Sequence, residues 1–92
     1  MKHWDLGFKK LSEKVAGKKP TWVSEDWRFK IVWLEEGRYM LEQQCFLPGG
    51  RPVKGPRSLR YPHWHEVWIY PRLVVAQKRA AAMVETERSF NA

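Results

Sequence analysis

Residues 27–47 limit what this chain can fold into more than any other stretch. In Trp-Arg-Phe-Lys-Ile-Val-Trp-Leu, Trp27, Phe29, Ile31 and Trp33 recur at every second position, while Arg28 and Lys30 begin the opposite face. A period of two is that of a β-strand. Glu35-Glu36-Gly37-Arg38 offers a turn with a glycine available for a left-handed position. Tyr39, Leu41, Gln43, Cys45 and Leu47 then alternate against Met40, Glu42, Gln44 and Phe46. Residues 39–47 therefore return as the second strand of a hairpin, with Cys45 read as a small core hydrophobe.

The flanks read as helix, loop, strand and helix. Trp4, Phe8, Leu11 and Val15 fall at spacings of four, three and four, which predicts an amphipathic helix over 3–16. Gly17 suits its C-terminus and Pro20 forbids continuation. The expected docking is of this helix onto the sheet face bearing Phe29, Ile31 and Trp33. After Pro48-Gly49-Gly50, the run to Pro62 holds prolines at 52, 56 and 62 and is expected to be extended and irregular. Residues 65–70 alternate weakly and fit a third strand. Pro71 suits a helix start, and Leu73, Ala76, Ala80, Met83 and Val84 form a stripe along a helix over 72–88. The fold class expected is α+β in a single small domain, residues 1–92. It has an N-terminal helix, a β-hairpin with a possible third strand, a basic Pro-rich loop over about 48–62 and a C-terminal helix.

Charge and aromatics narrow the function classes. The chain's 17 Lys+Arg against 10 Asp+Glu give a net charge of +7, and the imbalance is uneven. Arg51, Lys54, Arg57 and Arg60 lie in a stretch without an acid, and six lysines fall between Lys2 and Lys19. Such segregation favours a polyanionic or acidic partner. Six Trp in 92 residues exceed what so small a core hides fully. Some indole surface is therefore expected at an interface, where Trp, Tyr and Arg dominate binding energy. No apolar run reaches the roughly 20 residues of a membrane span, and residues 1–8 lack the apolar stretch of a secretory signal. The single Cys45 offers no internal disulfide and suits a reducing cytoplasm.

Catalytic constellations are weak. Cys45 lies inside a strand, the serines lack a Gly-flanked elbow, and Gly49-Gly50-Arg51-Pro52 lacks the spacing of a phosphate-cradling loop. His63 and His65 in His-Trp-His-Glu share a strand face and are the weak candidates for a metal, but a site needs three or four ligands. A metal-dependent enzyme on that pair ranks third, and no cofactor is expected. The basic loop is the functional candidate. Arg51, Lys54, Arg57 and Arg60 recur every three residues on a stiffened backbone, with Tyr61, Trp64 and Trp68 beside them. They suit either an acidic protein groove, through Arg–carboxylate forks and aromatic anchors, or a nucleic-acid backbone with stacking platforms. Leu47-Pro48, Tyr61-Pro62 and Tyr70-Pro71 add bonds at which cis–trans isomerisation, or docking of a prolyl isomerase, is conceivable.

In texture the chain resembles the small accessory proteins encoded by bacteriophages: short, basic and Trp-rich, with one Cys and the irregular loop Arg51–Pro62. That resemblance implies a non-enzymatic partner of a host machine, such as a recombination nuclease of the RecBCD type or a restriction or CRISPR complex. The leading expectation is an interaction protein that inhibits or modifies a host nucleic-acid-processing complex in the host cytoplasm. The alternative is a small basic DNA- or RNA-binding protein.

Overall fold

The two alternating runs pair as a hairpin, Phe29–Glu35 against Arg38–Gln44. Between them Gly37 takes φ 77°, a left-handed conformation that costs a glycine little. Arg38 Nη1 donates to Glu35 Oε1 at 3.0 Å across the turn. The computed structural model describes residues 6–45, 53–60 and 64–91. In chain order its elements are β1 (Lys9–Lys10), α1 (Glu13–Ala16), β2 (Thr21–Val23), β3 (Phe29–Glu35) and β4 (Arg38–Gln44). A 3-10 turn (Pro56–Arg60), β5 (Trp64–Tyr70) and α2 (Leu73–Asn91) follow.

The strands form one antiparallel sheet in sequential order, β1-β2-β3-β4-β5. Register assigns its faces, because directly paired residues point the same way. Ile31 pairs with Trp22 and with Leu41, placing all three on one face. Lys30 pairs with Val23 and with Glu42, placing these on the other. Between β4 and β5 the register moves from Leu41↔Trp68 to Glu42↔Glu66, so Val67 is an extra residue and the edge strand bulges there.

Helix α2 crosses the Ile31 face. Ala76 and Ala80 are fully buried against Phe29, Ile31 and Leu41, with Phe8, Tyr39, Val67 and Tyr70 among the half-buried side chains around them. Alanines at the contact let the helix axis approach the sheet closely, the reason the stripe combines small and large residues. Gly17, Gly7 and Pro20 leave the other face free of any long helix.

Three expectations need correction. The helix over 3–16 is reduced to the single turn of α1 (Trp4 lies outside the described residues). Glu25 N–H donates to Leu6 O at 3.0 Å, Leu11 N–H donates to Thr21 O at 2.8 Å, and Lys9 and Lys10 pair with β2. A short helix interrupted by Gly7 (φ 70°) is marginal without a docked face, and strand pairing satisfies the backbone instead. Phe8 does reach the core, from a non-helical backbone, but the sheet face bearing Phe29 and Ile31 is covered by α2, and Val15 stays exposed. Second, residues 56–60 coil into a 3-10 turn rather than extending: Pro56 opens it, and Ser58 N–H donates to Gly55 O at 2.9 Å. Proline's missing donor is no handicap in a first turn. Third, Cys45 is exposed, because β4 ends at Gln44 and that side chain occupies the interior. The sheet also has two strands, β1 and β2, beyond those expected.

Candidate anion-binding groove and aromatic edge

The face opposite α2 carries the candidate functional surface, and two anchors shape it. Gln44 is buried; its Nε2 donates to Trp27 O at 3.2 Å and to Val53 O at 3.0 Å, and its Oε1 accepts from Val53 N–H. This ties the re-entry of the basic loop to the end of β4. Trp64, the first residue of β5, donates its indole N–H to Ser58 O at 2.7 Å and so holds the 3-10 turn against the sheet. Residues 53–60 are thus fixed at both ends by side chains from neighbouring strands.

The fixed turn forms one wall of a groove of about 1000 Å³. Val15, Ala16, Thr21, Val32 and Leu59 supply its less polar surface. Among the described residues its charged ones are Lys14, Lys18, Lys19, Lys30, Arg57 and Arg60, with no Asp or Glu in the lining. In a 3-10 turn, residues three apart eclipse one another, so Arg57 and Arg60 project on the same side. Spacing read from the sequence as an extended array thus becomes a single cationic edge. Lys30 differs from the other five. Its Nζ lies 3.5 Å from Glu42 Oε2 and 4.5 Å from the Trp64 ring centroid, with only 14% of the side chain exposed. Burial pushes the Glu42 carboxyl above its usual range, the adjacent Lys30 charge and hydrogen bond oppose that shift, and Glu66 adds to it.

The β5 edge carries a second surface. Trp68 at the bulge is 70% exposed, and a 420 Å³ depression there is lined by Met40, Glu66, Val67, Trp68 and Ile69. A free edge strand with an exposed indole offers both backbone groups and an aromatic anchor to a partner.

The structure brings Arg57 and Arg60 together and places Lys54, exposed, just before their turn. Trp64 is half-buried with its N–H satisfied, which gives it a positioning task rather than an exposed anchor. Trp68 is open to solvent. Arg51, Tyr61 and His63 lie outside the described residues, as do His3, Leu47-Pro48 and Tyr61-Pro62. His65 is exposed on β5 opposite Gln43, and among the described residues no three His, Cys, Asp or Glu side chains converge. Of the five described Trp, none is fully buried. Sequence reasoning missed the joining of Lys14, Lys18, Lys19 and Lys30 to the loop arginines. The available signal was Lys30 on the face opposite Ile31. Among the described residues no helix is long and apolar enough to cross a membrane. Compared with protein families, curated proteins and solved structures, the chain matches none.

Proposed function

We propose that this protein is a non-enzymatic interaction protein that binds a host nucleic-acid-processing complex, such as a recombination nuclease, in the cytoplasm and inhibits or modifies it. The observation that carries this reading is Trp68, 70% exposed on the edge strand β5. A large indole left in water at a sheet edge, with Met40 and Ile69 beside it, matches the aromatic anchors that dominate protein interfaces. Lys54, Arg57 and Arg60 supply a cationic flank that suits a partner acting on a polyanion.

The test is capture from a bacterial lysate by the tagged full chain, washed at about 0.15 M and at about 0.5 M salt. An anchor-centred interface is expected to hold at the higher salt, where exposed ion pairs are screened. The retained partner should be an enzyme that acts on DNA or RNA, with its activity altered by the added protein. Trp68→Ala should weaken retention by at least about 2 kcal/mol, roughly thirtyfold. Retention unchanged by Trp68→Ala, or a partner whose activity on nucleic acid is unaffected, would refute the proposal.

A further inference from the structure

We infer that the groove between α1 and the 3-10 turn is a separate site that binds the phosphodiester backbone of nucleic acid directly and without sequence preference. Lys14, Lys18, Lys19, Arg57 and Arg60 are exposed, and among the described residues none of the five forms an ion pair. Acids elsewhere on the surface are used: Glu35 pairs with Arg38 and Glu87 with Arg28. The sixth cation, Lys30, is already occupied by Glu42 and Trp64 and forms part of the floor. Five unpaired cations drawn from two separate segments around one concavity repel one another. That arrangement is the electrostatic complement of a chain of phosphates, where each contact releases a condensed counterion.

Two features select the ligand class. The groove is open and takes cations from both walls, which suits a continuous polyanion better than one small anion. Among the described residues its lining contains no aromatic side chain, and the Trp64 indole lies beneath Lys30. Bases therefore have no stacking platform there, and phosphates supply the contacts. Arg57 and Arg60 also supply the flank of the Trp68 surface, but the groove does not use Trp68 and the Trp68 anchor does not need the groove lysines, so either proposal can fail while the other stands.

The probe is a fluorescent random-sequence DNA duplex of about 20 base pairs, titrated with the full chain at several salt concentrations. With five phosphate contacts, log affinity should fall against log salt with a slope of about −4.5. Between about 50 and 200 mM salt that is a loss of roughly two to three orders of magnitude. Lys18→Gln with Arg57→Gln should reduce the slope by about two, and so should Lys14→Gln with Arg60→Gln. Arg72→Gln with Arg79→Gln removes the same charge at and just before α2, across the sheet, and should leave the slope unchanged. All of these positions are exposed, and melting curves within a few degrees of wild type will confirm folding. Absence of binding at low salt would overturn the inference. An equal effect from the α2 pair would also overturn it, as would a polyglutamate peptide that binds as tightly as the duplex.

Discussion

Replacing Trp64 by Phe tests whether a single indole holds the cationic turn in place. The substitution keeps most of the aromatic volume but removes the donor that meets Ser58 O at 2.7 Å. Ser58 is fully buried, so its carbonyl loses its partner away from water. An orphaned buried acceptor costs about 1–3 kcal/mol. The Lys30 ammonium, 4.5 Å from the ring, also exchanges the best aromatic face for a weaker one, a loss of a few tenths of a kcal/mol. Together these make roughly 2 kcal/mol, or a fall in Tm of about 8–16 °C for a domain of this size. The loss should be local first. Trypsin should cut Trp64→Phe faster at Arg57 and Arg60, with cleavage at Arg79 on α2 much less affected. Ser58→Ala is the counterpart: Ser58 Oγ is buried without a partner, so its removal should leave Tm unchanged or raise it. A Trp64→Phe melting point within about 3 °C of wild type, or equal acceleration of cleavage at all three arginines, refutes the clamp.

Two further predictions address the face above and below the sheet. Glu42 is held above the usual 4.5 of a glutamate, mainly by burial. The folded state therefore keeps a proton that the unfolded state releases, and stability falls as pH rises from the unfolded value through the folded one. Glu42→Gln should flatten that part of the stability–pH curve, measured by urea unfolding across the acid range; an unchanged curve would show that Glu42 is not the titrating group. Ala80→Leu forces three extra carbons into the contact with Phe29, Ile31 and Leu41 and should cost about 1–3 kcal/mol by chemical denaturation. No loss would mean that α2 is not docked through this alanine.

Local periodicity made the hairpin and α2 legible. Phe29, Ile31 and Leu41 fall on one face because alternation is a property of neighbouring residues, and the same holds for Leu73, Ala76 and Ala80 at helical spacing. β2 was not legible, because three residues are too few to show a period and Thr21–Val23 becomes a strand through its pairing with Lys30, Ile31 and Val32. The 3–16 helix failed for the same reason in reverse. A helical pattern was present in Trp4, Phe8, Leu11 and Val15, yet long-range hydrogen bonds from Glu25 to Leu6 and from Leu11 to Thr21 outweighed it. At the candidate site, the loop arginines were visible as a cluster in sequence. Their lysine partners were not, since Lys14 and Arg60 are 46 positions apart and only the crossing of the 3-10 turn over β3 brings them to one groove.

Solubility is the competing explanation of the groove, and geometry separates it from ligand binding. Charge that serves only solubility is best dispersed with both signs mixed, as on α2, which carries Lys78 and Arg79 as well as Glu85 and Glu87. Lys14, Lys18, Lys19, Arg57 and Arg60 instead converge on a concave surface, and Glu42, beneath it, is engaged by Lys30. Their mutual repulsion is screened over about 8 Å at physiological salt and grows as salt is removed. The groove is also held by groups with no charge of their own to add. Gln44 fixes Val53, and Trp64 fixes Ser58, so the arginines are presented on a backbone already ordered before any ligand arrives. Ordering the loop in advance removes an entropy cost from binding. Trp64 and Trp68 belong to the same strand, so one rigid element carries both the clamp behind the cationic wall and the exposed anchor at the edge. A partner seated on Trp68 would meet the groove in a fixed orientation, which lets a protein contact and a phosphate contact act together on one complex without either depending on the other.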